Sequence, residues 1–262
     1  MPNNYIDLVV TSPPYDEMRT YDNKSDFRFH EIAQELYRIT KQGGVVVWIV
    51  TDQVNDHNES GTSFRQALHF QSLGFKLFDT MIYAKGIRAI SSVTSYWQQF
   101  EYMFILSKIT KPKTINHIRD LPRIYQDKRF CKREADGTTI VTKSNFTKEE
   151  LQKPTKRGNI WKYNTGGGHT TKDKIAYEHP AIMPEELCKD HIISWSNRED
   201  IVYDPFSGSG TTAKMAYCTF RNYIGSEINK KYYKLSQKRL KYTNRTDKLE
   251  NCIADTTGIT RI

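Results

Sequence analysis

The sequence has few cysteines, no long apolar segment and no N-terminal residues that resemble a secretion signal. Its four cysteines are scattered and form no CxxC pair, which excludes a cysteine-based zinc motif and a disulfide framework. No apolar run approaches the length of a membrane span, and the N-terminal Met-Pro-Asn-Asn does not resemble a secretion signal. With 262 residues and 37% hydrophobic content, the chain can form one α/β domain with an insertion. We therefore expect an intracellular, reduced protein without a metal site or a membrane contact.

A rigid turn follows the first apolar run of the chain. Residues 6–10 have the composition of a strand, and Thr11-Ser12-Pro13-Pro14-Tyr15 follows them directly. Each proline lacks an N–H group and has a fixed φ, so this segment cannot continue the strand pairing. Ligand sites of α/β proteins lie at the carboxyl ends of strands. The turn is therefore either an ordinary strand end or a pocket in which a carbonyl, a hydroxyl and a ring hold a flat, amine-bearing group.

A second strand leads into a glycine-rich turn near residue 206. Residues 201–204 predict a buried strand, residues 205–212 (PFSGSGTT) a turn, and residues 213–216 the start of a helix. Gly208 and Gly210 allow a close backbone approach, and free N–H groups at the helix start face a ligand. The turn lacks the third glycine of the dinucleotide pattern and the Gly-Lys-Ser/Thr ending of a P-loop. The carboxylate of Asp204 favours a cationic or zwitterionic ligand over a phosphate.

The next predicted strand, residues 223–227, ends in an acidic residue. Glu227 has the position at which α/β proteins bind a ribose hydroxyl pair, although it can also be a solvated carboxylate. A ribose, a cationic sulfonium and an amino-acid tail together describe S-adenosylmethionine.

The two turns resemble the motifs of the amino-directed DNA methyltransferases. That family has Asp/Asn/Ser-Pro-Pro-Tyr/Phe as its catalytic motif and Asp-Pro-Phe-x-Gly-x-Gly-Thr as its cofactor motif, which residues 12–15 and 204–211 match. The order of the motifs resembles the β group. The resemblance implies an α/β, Rossmann-like class I methyltransferase fold with a mainly parallel central sheet and an inserted target-recognition region. It also implies S-adenosyl-L-methionine as cofactor, double-stranded DNA as substrate and a location in the cytoplasm of a prokaryotic cell, at the nucleoid.

The same resemblance assigns the site residues. It implies catalytic roles for Ser12, Pro13, Pro14 and Tyr15. It implies cofactor-binding roles for Thr11, His179, Pro180, Asp204, Pro205, Phe206, Ser207, Gly208, Gly210, Thr211, Thr212 and Glu227. Residues 179–187 resemble the family segment that cradles the methionine end of the cofactor, but Pro184 is also suited to the first turn of a helix.

Three segments follow from the motif order. We expect residues 1–107 to form the catalytic half, residues 108–174 a basic target-recognition insertion, and residues 175–262 the cofactor-binding half. In the first segment, residues 29–41 predict an amphipathic helix that ends before Gly43 and Gly44, and residues 45–50 predict a strand. Residues 77–83 and 101–106 resemble the paired late strands of the family fold.

The positive charge of the chain is concentrated in its middle. Residues 108–174 contain 17 of the 39 Lys and Arg but only 7 of the 30 Asp and Glu, so the remainder carries 22 basic and 23 acidic residues. Such a surplus indicates either a surface that follows a phosphate backbone or a solvated insertion. We expect residues 157–161 to lead the chain back into the main fold rather than to recognise a base. The candidate DNA-binding residues are Arg119, Arg123, Lys128, Arg129, Lys132 and Arg133.

The chemistry favours an exocyclic amine as the methyl acceptor. Methylation at carbon 5 of cytosine needs a thiolate nucleophile, which follows a proline in that family, and none of the four cysteines does. The resemblance implies N4 of cytosine as the acceptor, because family members with serine at the first motif position are mostly cytosine-N4 enzymes, with N6 of adenine as the alternative. Transfer to RNA or to a protein amide, and a DNA-specificity subunit without catalysis, remain further alternatives.

The sequence departs from the family at its N-terminus. The catalytic strand begins within ten residues of Met1, without the usual Gly-Asp-x-Leu segment that lines the adenine pocket. We expect residues 251–255 to supply that wall, unless the sequence is truncated. The resemblance leaves a homodimer and a cognate restriction endonuclease open as partners.

Overall fold

A computed structural model describes residues 1–14, 27–86, 96, 98–122, 129–143, 147–166 and 168–243. These residues divide into two compact units. The first contains Met1–Asn116 and the described residues from Asn159 onward, and the second contains His117–Gly158. The second unit contains fewer residues than the predicted insertion, which spans residues 108–174. Residues 108–116 and 159–174 of that insertion belong to the first unit. Residues 251–255, which we expected to line the adenine pocket, lie outside the described residues.

Strands and helices alternate toward both ends of the chain, whereas five strands follow one another in its middle. The strands of the described ranges are β1 (Ile6–Thr11), β2 (Thr40–Val50), β3 (Val54–Asn55), β4 (Asn58–Glu59), β5 (Lys76–Lys85), β6 (Phe100–Ser107), β7 (Arg119–Leu121), β8 (Arg129–Arg133), β9 (Thr139–Lys143), β10 (Thr155–Lys156), β11 (Ile160–Tyr163), β12 (Ile201–Asp204) and β13 (Asn222–Gly225). The helices are α1 (Phe29–Ile39), α2 (Thr62–Ser72), α3 (Lys148–Gln152), α4 (Glu185–Trp195), α5 (Thr211–Cys218) and α6 (Lys230–Lys241). Within these ranges, every helix is too short or too polar to cross a membrane.

The first unit is built on one large sheet. Seven of the described strands form it, in the order β11-β5-β6-β2-β1-β12-β13. β6 runs antiparallel to both of its neighbours, and the other four pairs are parallel. The predicted α/β class and mainly parallel sheet are confirmed. The predicted pairing of the late strands is also confirmed, since Leu77 lies opposite Leu106 and Tyr83 opposite Glu101.

The central strands are buried because both faces of the sheet are covered. β1 and β2 are rich in valine and isoleucine, which suit strands that bury both faces. On one face, Trp48 packs with Phe70 of α2 and Leu36 of α1, and its indole N–H donates a 2.7 Å hydrogen bond to Gln66 Oε1. This packing restrains the central strands, and with them the positions of the carboxyl ends of β1 and β12.

The boundary between α1 and β2 differs from the prediction. The helix ends at Ile39 rather than at residue 41, and β2 begins at Thr40 rather than at residue 45. Thr40 pairs with Ile6, but the next pair is Leu8 with Val45, so the intervening residues form an irregularity in the strand. The glycines were expected to end a helix, whereas Gly43, with φ +78°, accommodates this irregularity.

The second unit consists of short elements. β7 pairs antiparallel with β10, and β8 forms an antiparallel hairpin with β9. α3 begins with a capping box in which the Thr147 side chain accepts from Glu150 N and the Glu150 carboxylate accepts from Thr147 N.

β11 pairs with β5 in the main sheet, as expected for a return of residues 157–161 into the fold.

Candidate active site

The two predicted motifs lie side by side. β1 and β12 are adjacent parallel strands, with Leu8 opposite Val202 and Val9 opposite Tyr203. The turns at their carboxyl ends therefore open into the same cleft, at the edge where α/β proteins bind ligands. The predicted site residues that line this cleft are Ser12, Pro13, Pro14, His179, Pro180, Asp204, Pro205, Phe206, Ser207, Gly208, Thr211 and Glu227. Tyr15 lies outside the described residues.

Asp204 ties the two motifs together. Its buried carboxylate accepts hydrogen bonds from Thr11 Oγ1 at 2.6 Å, from Phe206 N at 3.0 Å and from Thr212 Oγ1 at 2.7 Å. Burial raises the pKa of Asp204 to about 6, against the effect of the two threonine hydrogen bonds. The sequence suggested that this carboxylate faces a ligand, but three of its acceptor positions are occupied by protein donors. Asp204 thus fixes the geometry of both turns.

The glycine-rich turn requires glycine at two positions. Gly208 and Gly210 have φ values of +49° and +80°, a region that favours glycine. A Cβ on Gly208 would lie 3.0 Å from His179 Nε2, and one on Gly210 would lie 2.8 Å from Ser236 Cβ. Gly210 is the N-cap of α5, and Thr211 in the first turn of that helix lines the cleft.

Glu227 lies beyond the end of β13, next to this turn. Its carboxylate accepts hydrogen bonds from Gly208 N at 2.7 Å and from Asn229 N at 2.8 Å. These two donors use about half of the acceptor positions that a carboxylate offers. The group is oriented by backbone donors and is still able to accept hydrogen bonds from a diol.

His179 covers the other side of the glycine-rich turn. Its ring contacts Tyr232 of α6 at a centroid distance of 4.3 Å, and its Nδ1 lies 2.5 Å from the Ala181 carbonyl oxygen. Pro184 is the N-cap of α4, which agrees with the alternative interpretation of this residue as part of a helix start. The segment 179–184 therefore both lines the cleft and begins a helix.

A buried ionic cluster supports the turn from behind and was not predicted. Arg239 of α6 donates to Asp173 Oδ2 at 2.9 Å, to Glu185 Oε1 at 2.6 Å and to Ser209 O at 3.1 Å. Lys214 of α5 binds the same two carboxylates. In the sequence, Arg239 is one of several cations on an amphipathic helix, so no local signal distinguishes it from a surface residue.

The sequence analysis also did not predict that side chains near the ends of β5 and β6 line the cleft. Tyr83 and Lys85 of β5 and Glu101 of β6 line the same cleft as Ser12. Lys85 Nζ and Glu101 Oε1 form an ion pair at 2.6 Å. The sequence predicted the strands but no role for the side chains at their ends.

The predicted DNA-binding residues occupy the second unit. Arg119 is exposed in β7, and Lys132 and Arg133 are exposed in β8, where Lys132 forms a 2.9 Å ion pair with Glu134. Arg129 lies in the same strand. Arg123 and Lys128 lie outside the described residues.

The sheet order, the glycine-rich turn and the acidic strand end define a class I S-adenosylmethionine-dependent methyltransferase. Residues 6–238 match the N6/N4 DNA methylase family, and the chain belongs to that family of DNA methyltransferases. Orphan methyltransferase M.BamHII of Bacillus amyloliquefaciens is 53% identical over 241 residues, which cover 90% of this chain and 89% of the relative. DNA adenine methyltransferase YhdJ of Escherichia coli (strain K12) is 25% identical over 255 residues, which cover 92% and 78%.

The fold is similar to that of a solved structure as well. The PvuII DNA methyltransferase (cytosine-N4-specific) superposes with a TM-score of 0.65 over 98% of this chain and 88% of that chain, at 18% identity. S-adenosylmethionine, the cofactor of the family, fits the residues of this cleft. The Glu227 carboxylate suits the ribose hydroxyls. The side-chain-free surface of Gly208 and the start of α5 permit close backbone approach to the ligand.

Proposed function

We propose that this DNA methyltransferase transfers a methyl group to the N4 amine of a cytosine that has left the duplex. The observation that carries the proposal is the hydrogen bond between Thr11 and Asp204, which joins the Ser-Pro-Pro turn to the glycine-rich turn. This bond holds the two turns next to each other, so that a base at the first turn and a cofactor at the second can share one cleft.

The residues of the first turn act on the target amine. The nitrogen lone pair of an exocyclic amine is delocalised into the base, so the amine is a poor nucleophile while its hydrogens remain in the ring plane. The Ser12 hydroxyl and the Pro13 carbonyl accept hydrogen bonds from these hydrogens and turn the lone pair toward the methyl group. Tyr15 stacks on the displaced base and offsets about 1–3 kcal/mol of the cost of unstacking.

The residues of the second turn bind the cofactor. S-adenosylmethionine supplies an electrophilic methyl group on a sulfonium ion. Glu227 binds the ribose hydroxyls, and the residues around Gly208 and His179 contact the remainder of the ligand. Catalysis then relies on the positioning of two bound groups, without a covalent intermediate on the protein.

The cysteines support an amine rather than carbon 5 as the acceptor. Cys188 and Cys218 are buried, and burial raises the pKa of the Cys188 thiol. Cys131 lies in β8 of the second unit, and Cys252 lies outside the described residues. A thiolate nucleophile at the Ser-Pro-Pro turn is therefore not supported by the described residues.

The second unit and its flanks contact DNA. Residues 108–174 form the target-recognition region between the catalytic half, residues 1–107, and the cofactor half, residues 175–262. The charge surplus of the middle segment and the exposed Arg119, Lys132 and Arg133 support this role. A cognate restriction endonuclease and a second copy of the chain are proposed partners.

Adenine N6 is the alternative acceptor. A relative at 25% identity is named a DNA adenine methyltransferase, and the same pocket can hold either amine. Serine rather than aspartate or asparagine at position 12 supports cytosine. RNA or protein-amide transfer and a specificity subunit without catalysis are weaker alternatives, because the basic middle segment supports DNA and both motifs are intact.

One experiment tests the proposal. The chain is expressed in a host that lacks amino-methylation, and genomic DNA is digested to nucleosides and analysed by mass spectrometry. We expect N4-methylcytosine with the wild type and none with Ser12→Ala, while purified Ser12→Ala still binds S-adenosylmethionine. N6-methyladenine would establish the alternative. Absence of both modified nucleosides from the DNA would refute the proposal.

A further inference from the structure

Tyr83 is one of the residues that line the cleft, and its hydroxyl is buried. Tyr83 is 2% exposed and lies at the carboxyl end of β5. Among the described residues, only its hydroxyl and that of Ser194 are buried without a hydrogen-bond partner. An unpaired buried hydroxyl is costly and uncommon, so its retention needs a reason. Burial raises the pKa of Tyr83, and the nearby Glu101 acts in the same direction, so the phenol keeps its proton and can donate it.

The surrounding residues hold this phenol in one place. The ring lies 6.1 Å from the Tyr163 ring, and Lys85 Nζ lies 6.0 Å from its centroid. Lys85 is itself fixed by its ion pair with Glu101, which lies directly opposite Tyr83 in the sheet. A rotation of the ring toward another partner would disturb these contacts.

The strand register places Tyr83 across the cleft from the catalytic turn. Ile49 of β2 lies opposite Met103 of β6, and Tyr83 lies opposite Glu101, two residues from Met103 on the same sheet face. Ile49, Glu101 and Tyr83 line the cleft together with Ser12. β2 and β6 separate β1 from β5, so their backbones are three strand spacings, or about 14 Å, apart. A tyrosine side chain and one base can span that distance.

We propose that the Tyr83 hydroxyl donates a hydrogen bond to the ring nitrogen next to the amine of the displaced base, and so determines specificity for amino bases. This inference rests on the proposed function. Cytosine N3 and adenine N1 are acceptors at that position, whereas thymine N3 and guanine N1 carry a hydrogen. A fixed donor therefore pairs with the two amino bases and opposes the two keto bases.

The test begins with Tyr83→Phe, which removes one hydroxyl. We expect kcat/KM on DNA to fall about tenfold or more, with unchanged affinity for S-adenosylmethionine and an equal or higher Tm, because the lost hydroxyl has no partner in the described protein. Tyr233→Phe, an exposed tyrosine of α6 outside the cleft, is the matched control and should change none of these quantities.

A modified substrate makes the test specific to the ring nitrogen. Once the target base is known, its ring nitrogen is replaced by CH, as in 3-deaza-2′-deoxycytidine or 1-deaza-2′-deoxyadenosine. The wild type should lose activity on this DNA, and Tyr83→Phe should lose much less, because its partner is already absent. Equal losses in both proteins, or an unchanged kcat/KM of Tyr83→Phe, would overturn the inference. A wild type that methylates no base would instead refute the proposed function.

Discussion

Thr11 Oγ1 donates a 2.6 Å hydrogen bond to Asp204 Oδ1, although 193 positions separate the two residues in the sequence. The bond crosses from β1 to β12, and it joins the proposed catalytic turn to the proposed cofactor-binding turn. Thr212 and Phe206 N bind the same carboxylate. A single buried group thus sets the relative position of both turns.

Asp204 should make stability dependent on pH. Its pKa is raised from 3.8 to about 6, mainly by burial, so the folded state binds more protons than the unfolded state between these values. The free energy of unfolding should therefore fall as pH rises from about 4 to about 6, relative to Asp204→Asn, by on the order of 1–3 kcal/mol. Urea unfolding of both proteins from pH 4 to pH 7 measures this difference. A difference independent of pH would contradict the prediction.

Gly208→Ala should weaken cofactor binding. The new Cβ would lie 3.0 Å from His179 Nε2, and alanine at φ +49° adds a backbone cost of about 1–2 kcal/mol. We expect at least a tenfold higher Kd for S-adenosylmethionine by isothermal titration calorimetry. Gly137→Ala is the control, since Gly137 has φ +86° and no neighbour within 4 Å of its Cβ position. The same Kd for both variants would argue against contact between this turn and the cofactor.

Arg239→Met should destabilise the protein strongly. The side chain is 1% exposed, and its removal leaves the carboxylates of Asp173 and Glu185 with one cation, Lys214, instead of two. Breaking such a buried network costs about 3–5 kcal/mol, which urea unfolding at pH 7 can measure.

Two further variants separate charge balance from packing. Adding Glu185→Gln to Arg239→Met restores equal numbers of charges and should recover part of the loss. Arg28→Met removes the exposed pair with Glu31 and should have little effect. No recovery in the double variant would mean that the guanidinium contacts to Ser209 and Thr211, rather than charge balance, dominate.

Exposed cations of the second unit should determine how DNA binding responds to salt. If Arg119 and Arg133 each contact a phosphate, then Arg119→Ala or Arg133→Ala should reduce the slope of log K against log salt concentration by about 0.9. Fluorescence anisotropy with a labelled duplex between 50 and 200 mM salt measures the slope. Lys76→Ala, an exposed cation of the main sheet, should leave it unchanged. Equal slopes for all four proteins would speak against this unit as the DNA surface.

Local patterns were sufficient for the motifs and for most elements of the fold. The Ser-Pro-Pro and glycine-rich turns depend on backbone properties of single residues, and the apolar runs before them have strand composition. The boundary near Thr40 was wrong, because two glycines that suit a helix end serve a strand irregularity instead, and only pairing with β1 distinguishes the two. Site roles at Ser12, Glu227 and the basic residues remain predictions.

The order of the motifs, the class of sheet and the segment that carries the positive charge can all be inferred from the amino-acid pattern, since each depends on residues close together in the chain. The folded structure was needed to show that Thr11 binds Asp204, that Arg239 is buried among carboxylates and that the Tyr83 hydroxyl lacks a partner among the described residues. These contacts join strands and helices that are distant in sequence. They arise from strand register and burial, which no short window of the sequence encodes.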